Sequence, residues 1–390
     1  MAYNPNILRD VLRARSLTSS DLSARVGLNP ADLESELNRD PEPHRAILNS
    51  VARELALPTF VFYMKRTPQL HDVIPDFRTS SPAPTAKALQ TIEAIQFAEG
   101  VQRAAIEGEA SRVNENLPRF TPTLPAQVDE FALQARQFFK ISRKVQSDAR
   151  DAREFYVLCR KKIEDNGLFV LHDSFPEQDG SGFCLSHRSH PVIVINTKQQ
   201  TRGRRLFTLI HELAHILMRK TGISDPFIRE NATERLCNRF AGAFLVPDEY
   251  VQELLGVVNI SADPSYEDVR WASRRLKISQ EATVLRLEQL RIYKDGSYEK
   301  WKQAVQRRGN PDFSETGGGG SEPPPQEKVK LAKYGFHFAA VFDHMLRLGS
   351  ISELNLFRAT GLKPKYQRAF FDYAKSITAS DFRDVGIDDE

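Results

Sequence analysis

The segment at residues 206–218 is apolar on nearly every side of the helix that its spacing predicts, yet it carries four polar side chains. These are Thr208, His211, Glu212 and His215, and their intervals place them in a single stripe along one helix face. A helix that is apolar all round belongs in a protein interior. Two imidazoles and a carboxylate buried there would each cost several kcal/mol without partners. The chain must therefore fold so that something satisfies this stripe.

A metal ion can satisfy the buried imidazoles of this polar stripe. Histidines four residues apart lie one helical turn apart, and their ring nitrogens can converge on one ion. His211 and His215 have this spacing, and Glu212 beside the first of them is placed to act on a water molecule rather than on the metal. Zn²⁺ suits such a pair, usually with a third protein ligand and a fourth position open to water. Glu234, 19 residues after His215, is the third ligand that we expect.

Other interpretations of these residues stay open at the level of sequence. The two histidines could be hydrogen-bonded core residues that bind no metal. Glu234 could be a surface carboxylate paired with Arg235 or Arg239, or Glu230 could replace it as a ligand. Cys237, on the same helix face as Glu234, is a further candidate ligand.

The apolar pattern around this helix predicts an α+β fold. Residues 168–171, 182–185 and 192–195 are short, partly β-branched runs between Gly, Pro, Asp or Asn, which is typical of strands. Two long helices follow, at about 204–220 and 230–246. We expect a small mixed sheet with the histidine-bearing helix and a following ligand-bearing helix, as in zincins, flanked by all-helical N-terminal and C-terminal domains. An extended substrate could add to an edge of the small sheet, at the strand 192–195 if that strand lies beside the cleft.

The N-terminal segment at residues 8–57 predicts several short helices, with turns at Gly27 and before Pro30. This pattern resembles the helical domain of Xre/Cro-type repressors, whose second motif helix reads DNA. In this chain that helix, at residues 31–37, carries three acids and no base, and residues 1–70 hold nine basic against eight acidic residues. A phosphate backbone would repel such a face, so we favour docking or dimerisation over direct DNA binding.

Prolines, glycines and changes in the spacing of apolar residues divide the chain into five parts. They are an Xre-like helix-turn-helix module at 1–66, a Pro-rich connector and helix at 67–125, the strand-containing domain with a helical extension at 126–308, a flexible Gly/Pro linker at 309–327, and a helical tail of unknown function at 328–390. The linker holds four consecutive glycines, which fits both a native tether and an engineered one.

Composition excludes several classes of protein. A net charge of +3 on 390 residues is too small to require nucleic acid or acidic lipid as a partner. Basic residues exceed acidic ones nine to three over residues 136–162, where a solvated helix surface is the favoured interpretation, and eleven to six over 266–308. Three scattered cysteines argue against a disulfide framework. No run is apolar enough to span a membrane and the N-terminus lacks a signal pattern, so we expect a cytoplasmic protein.

The middle of the chain resembles the ImmA/IrrE metallopeptidases. Four segments and a proline carry the resemblance, namely residues 166–170 (NGLFV), 191–196 (PVIVIN), 207–215 (FTLIHELAH), 234–241 (ERLCNRFA) and Pro247. The sequence DFRT at residues 76–79 is similar to the subgroup in which an Xre-like module is fused to this domain. The resemblance implies that His211, His215 and Glu234 bind one Zn²⁺ and that Glu212 is the general base. It also implies a substrate, a DNA-binding repressor that is cleaved during stress or phage and mobile-element induction.

These observations lead to three hypotheses of function. The first is a zinc endopeptidase of the HExxH type, for whose oxyanion His187, His190 and Tyr250 are candidate donors. The second is an Xre-type DNA-binding regulator with a structural or vestigial metal site, which predicts salt-dependent DNA affinity and no loss of function in Glu212→Gln. In the third, the N-terminal module binds the substrate repressor by resembling its helical domain, so deleting residues 1–65 should weaken cleavage.

Overall fold

The computed structural model describes residues 3–14, 17–55, 57–66, 88–121, 125–198, 202–224, 232–257, 263, 265–308 and 324–377. The DFRT motif at 76–79, Glu230 and most of the Gly/Pro linker lie outside these residues.

The N-terminal part consists of α1 (Pro5–Ala14), α2 (Ser19–Val26), α3 (Pro30–Leu37), α4 (Arg45–Glu54) and a 3₁₀ helix (Thr59–Tyr63). Thr18 begins α2 with a capping box, in which its side chain accepts from the Asp21 amide and the Asp21 carboxylate accepts from the Thr18 amide. Gly27, with φ 77°, ends the helix in the left-handed region. The predicted helical character of this region is confirmed. Its kinship with repressor modules stays a prediction.

The remaining elements follow in chain order. They are α5 (Leu89–Glu107), α6 (Pro125–Phe138), α7 (Arg143–Asp148), α8 (Ala152–Glu164), β1 (Phe169–Asp173), β2 (Gly182–Leu185), β3 (Val192–Asn196), α9 (Arg202–Leu217), β4 (Gly222–Ser224), α10 (Ala232–Leu245), α11 (Asp248–Val257), α12 (Tyr266–Leu276), α13 (Gln280–Gln289), α14 (Ser297–Arg308), α15 (Gln326–Leu348), α16 (Glu353–Thr360) and α17 (Pro364–Ser376). The predicted α+β class is confirmed.

The sheet has the strand order β1-β3-β2-β4 and is mixed. β1 runs parallel to β3, whereas β2 is antiparallel to both β3 and β4. β3 is thus hydrogen-bonded on both sides, so the prediction that an extended substrate adds beside residues 192–195 is wrong. The edges in the described part of the sheet are β1 and β4, and the three-residue β4 was not predicted from the sequence.

Both faces of the sheet are buried, each by a different set of helices. Alternate side chains of β3 point to opposite faces, as strand geometry requires, with Ile193 and Ile195 in one core and Val192 and Val194 in the other. The first core includes α8, α9 and α10, and the second includes α5 and α15 to α17. Residues 3–66 have a separate core around Leu22, Leu48 and Phe62. The sheet is therefore the middle layer of a three-layer arrangement.

The C-terminal helices join the sheet through a buried ion pair. Arg160 and Glu164 of α8 lie 3.0 Å apart and are almost fully buried. Glu164 accepts a hydrogen bond from the amide of Phe336, and Arg160 donates to the carbonyl of Ala332. Between those two positions Gly335 breaks the helical geometry of α15 with φ 84°. The boundaries of the five predicted parts stay predictions, but α15 packs on β1 and α17 packs on α15.

None of the helices within the described residues combines the length and the apolar character needed to cross a bilayer.

Candidate metal centre

The centre is built where α9 packs against α10 beneath the sheet. α9 contributes His211, Glu212 and His215, and α10 contributes Glu234 in its first turn. All four side chains are fully buried, at 0% relative exposure. Both helices are apolar over most of their surface, so packing between them places the four polar groups in the interior. The two elements that the sequence singled out are thus brought together.

The three predicted ligands converge on one point. Nε2 of His211 lies 3.1 Å from Oε2 of Glu234, Nε2 of His215 lies 3.1 Å from Oε1 of Glu234, and the two Nε2 atoms lie 3.2 Å apart. Atoms bound at about 2.0 to 2.2 Å to a tetrahedral Zn²⁺ are separated by about 3.3 Å. The triangle of donor atoms therefore has the size that a zinc ion requires.

The hydrogen bonding of Glu234 and Thr208 within the described residues is also what a bound cation would leave. Neither carboxylate oxygen of Glu234 has a hydrogen-bond partner of acceptable geometry among the described residues, although each is close to a ring nitrogen. The hydroxyl of Thr208, the fourth member of the polar stripe, likewise has none there. A buried carboxylate without hydrogen bonds is costly, and coordination to a cation removes that cost. The residues present could bind a metal.

Asn238 orients the first histidine. Nδ1 of His211 and Oδ1 of Asn238 are 2.9 Å apart, and because an amide oxygen only accepts, the imidazole must donate. The proton on Nδ1 leaves Nε2 of His211 as the nitrogen with a free lone pair, directed at Glu234 and His215. Asn238 lies one turn after Glu234 on α10, and this role is not evident from the sequence pattern alone.

The carboxylate and the imidazoles shift one another's pKa values. Burial alone lowers the pKa of His211, but the nearby charge of Glu234 outweighs it, so the pKa of His211 is raised. Burial likewise favours protonated Glu234, but His211 holds the pKa of that carboxyl below its ordinary value. For His215 burial prevails and lowers the pKa. Without a cation, His211 and Glu234 therefore favour an ion pair.

Glu212 lies beside the ligands and against the start of β2. A Cβ atom added to Gly182 would lie 3.3 Å from Oε1 of Glu212 and 3.0 Å from Cγ2 of Thr208. Only a residue without a side chain allows the strand and the carboxylate this close approach. Sequence analysis missed Gly182, although a glycine that begins a predicted strand is a signal of close backbone approach.

The alternative interpretations of Glu234 and Cys237 have different outcomes. Glu234 is fully buried and Arg239 pairs with Asp129 at 2.7 Å, so the surface ion-pair interpretation of Glu234 is wrong. The thiol of Cys237 lies within 4.8 Å of the histidine nitrogens and is a further candidate. Burial, reinforced by Glu234, raises the pKa of that thiol well above its usual range in the absence of a cation.

The described contacts of the three oxyanion candidates are with residues other than the ligands. The hydroxyl of Tyr250 accepts a hydrogen bond from Arg136, which also donates to the carbonyl of Phe244 near the C-terminal end of α10, the opposite end from Glu234. His187 and His190 lie in the turn between β2 and β3, where His190 contacts the carbonyl of Ala110. None of the three is brought to the ligands by a described contact.

Comparison with protein-family models gives a match that includes the residues of the candidate metal centre. Residues 163–288 match the family model described as the IrrE N-terminal-like domain, of peptidase family M78. The matched segment begins near the end of α8, contains all four strands and both helices of the centre, and ends in α13. A domain of this family indicates a metallopeptidase-type function. A search of curated proteins found no match to the chain.

Proposed function

We propose that this protein is a zinc-dependent endopeptidase of the HExxH type. One observation carries the proposal: two imidazoles and a carboxylate from separate helices meet within 3.2 Å of one another, beside a second buried carboxylate. His211, His215 and Glu234 are assigned as the zinc ligands, and Glu212 as the general base. Nitrogen and oxygen donors in this number suit Zn²⁺ with one position left for water or substrate.

The bound ion supplies Lewis-acid chemistry, which polarises the scissile carbonyl and makes a water molecule nucleophilic near neutral pH. The side chains of this chain do the rest. One carboxylate oxygen of Glu212 would accept a proton from the attacking water, and the same carboxyl group would then deliver that proton to the leaving amine. Asn238 holds His211 in one tautomer throughout. Burial of all these groups excludes other water from the reaction.

The substrate that we propose is a protein, and more specifically a DNA-binding repressor with an Xre-like domain, cleaved in stress, phage or mobile-element regulation. The support is the match of residues 163–288 together with the repressor-like pattern of residues 8–57. A cytoplasmic location is part of the proposal, because Cys159, Cys184 and Cys237 are all free and buried, as is usual in reducing compartments.

The competing function, DNA binding with a vestigial metal site, receives less support. Asp32 and Glu34 of α3 are exposed, so the face that would meet DNA carries negative charge. Burial of all three ligand side chains also fits a working site better than a remnant, because a buried carboxylate beside two imidazoles is costly unless a cation or a proton balances its charge.

Substitution of Glu212 by Gln tests the proposal. We expect purified wild type and Glu212→Gln to contain about one zinc per chain by elemental analysis, because Glu212 is not a ligand. In cells that produce either form, the wild type should deplete one full-length protein and the variant should not, with a loss of about 10²-fold to 10⁴-fold in rate. Glu130→Gln, an exposed change of the same kind on α6, should behave as wild type. Equal depletion by both forms, or no bound metal, would overturn the proposal.

A further inference from the structure

A groove separate from the metal centre lies between α7, α11 and α12. Its cavity volume is about 1000 Å³. We call it the basic groove, and its principal lining residues are Arg143, Tyr250, Leu254, Arg270, Trp271 and Arg274. It joins the two segments that are rich in basic residues, 136–162 and 266–308. The sequence favoured an ordinary solvated surface for the first of these.

The face of α12 that lines this groove carries basic and aromatic side chains together with one acid, Glu267. Arg270, Trp271 and Arg274 follow at helical spacing and are exposed, whereas Val269 and Ala272 on the other face are buried. Trp271 is 37% exposed, an unusual position for so large an apolar ring. Arg270 and Arg274 have no ion-pair partner in the part of the chain that the structure describes. Two guanidinium groups are thus available to an anionic ligand.

The opposite wall of the groove is rigid. The guanidinium of Arg136 lies 5.0 Å from the ring centroid of Tyr250, and that of Arg143 lies 5.5 Å from it. Arg136 is itself buried and hydrogen-bonded to the hydroxyl of Tyr250 at 3.2 Å. Arg143 forms an ion pair with Glu253 at the rim. Cation–π contacts and these bonds hold the aromatic wall in place before a ligand arrives.

The basic groove is coupled to the helix that carries Glu234. The side-chain amide of Gln146, in the groove, donates to the carbonyl of Leu245 at 3.0 Å and to that of Leu276 at 2.6 Å. Leu245 ends α10, and Glu234 lies in its first turn. Glu234 and Leu245 are eleven residue steps apart, which corresponds to about 16 Å of helix.

The same region does not fit the reading of duplex DNA. α12, the turn at Lys277 and Ser279, and α13 resemble a helix-turn-helix unit, in which the second helix would enter the major groove. However, α13 is buried along nearly its whole length, including Thr283 and Arg286. It cannot enter a groove without unfolding the core.

We propose that the basic groove docks an acidic segment of the protein substrate that also carries apolar side chains. The inference rests on the proposed peptidase function and names what selects its substrate. Carboxylates of the segment would pair with Arg270 and Arg274, and its apolar side chains would pack on Trp271.

The lining favours a polypeptide over a nucleic acid. The partly exposed ring of Trp271 adds apolar surface that suits side chains better than phosphates. Glu253 and Glu267 also line the groove, and they would repel a phosphodiester backbone, which carries a charge at every nucleotide. A peptide can direct its carboxylates to the arginines and leave neutral groups beside these two acids.

Fluorescence of the full-length protein tests the proposal without requiring catalysis. The probe is a synthetic 12-residue peptide in which leucines alternate with pairs of glutamates. We expect it to change the tryptophan emission, because Trp271 lines the groove, and Trp271→Phe should remove that change. Arg270→Glu combined with Arg274→Glu should weaken the peptide's affinity by about tenfold or more, an effect of the size expected for two charge pairs. Arg103→Glu, an exposed reversal on α5, should leave it unchanged.

Three results would overturn the proposal. They are no binding, equal binding by a peptide with glutamine in place of glutamate, or tighter binding by a single-stranded oligonucleotide that the double reversal also weakens. Failure of the peptidase proposal is recognised separately, because Glu212→Gln should bind the peptide as the wild type does. If the wild type binds the peptide but cleaves no protein, the proposed docking at the basic groove is supported and the proposed peptidase function is wrong.

Discussion

The imidazole of His211 donates through Nδ1 to Oδ1 of Asn238 across 2.9 Å, one turn along α10 from Glu234. This bond fixes both the ring orientation and the tautomer of a proposed zinc ligand. Since outer partners of this kind raise the basicity of the ligand that they orient, Asn238 contributes to metal affinity without touching the metal.

Asn238→Ala should therefore weaken zinc affinity by about tenfold to a hundredfold. The fold should survive, because the shortened side chain leaves the apolar packing of α10 in place. Competition with a chromophoric chelator measures the affinity, and Asn355→Ala, an exposed change on α16, provides the control. Unchanged affinity in Asn238→Ala would show that the hydrogen bond is incidental.

Gly182→Ala should damage both stability and catalysis. The added Cβ would lie 2.8 Å from the carbonyl of Val194 and 3.3 Å from Oε1 of Glu212, so β2 or the carboxylate must move. We expect a loss of about 1 to 3 kcal/mol in the free energy of unfolding, as in other overpacked cores. Urea unfolding and the cleavage rate measure the two effects.

Gly242→Ala is the matched control for Gly182→Ala. Its Cβ would meet Oε1 of Gln289 at 2.9 Å, the end of a flexible side chain that can turn away. Because alanine is the better helix former, this change should be neutral or stabilising by up to about 1 kcal/mol. If both variants lose stability equally, close approach at Gly182 has no special importance.

The convergence of these side chains could be predicted from the sequence because most of its signal is local. His211, Glu212 and His215 occupy one face of one helix, so periodicity alone brings them together. Glu234 required one further assumption, that the next long helix packs beside the first, and two apolar helices after a small sheet have few other arrangements.

Features set by distant contacts were not predictable in this way. The central place of β3 depends on pairing with β1 on one side and β2 on the other. The order of strands in a sheet cannot be read from the spacing of apolar residues along the chain. The layer formed by α15 to α17 depends on the contact of Phe336 with Glu164, which are separated by 172 residues. Composition identified these helices but not the surface that they cover.

Gly335→Ala should disrupt the attachment of α15 to the sheet. The residue has φ 84°, and a Cβ there would lie 2.1 Å from Oε1 of the buried Glu164 and 3.0 Å from the carbonyl of Val170. Displacing one member of a buried ion pair typically costs about 3 to 5 kcal/mol. The expected result is earlier thermal unfolding and faster proteolysis of residues 326–377. Gly349 also has a positive φ, 72°, but a Cβ atom there would meet nothing within 4 Å. Gly349→Ala should therefore lower the free energy of unfolding by only about 1 kcal/mol.

A pH-dependent loss of stability should arise at His337. Burial lowers the pKa of this imidazole from 6.5 to about 4, and its Nε2 has no hydrogen-bond partner in the described part of the chain. Between those two values the unfolded chain binds a proton that the folded protein excludes. Stability therefore rises with pH across this window and is lost as the pH falls below 6.5.

His337→Phe removes this titration while keeping a ring beside Phe169, whose centroid lies 4.6 Å away. The stability difference between variant and wild type should shift in favour of the variant by about 2 kcal/mol between pH 7.5 and pH 5, as the two pKa values require. Urea unfolding at both pH values measures it. His172, whose pKa burial also lowers, stays in both proteins and cancels from the difference. A difference that does not change with pH would mean that His337 titrates normally and that the C-terminal layer opens to admit the proton.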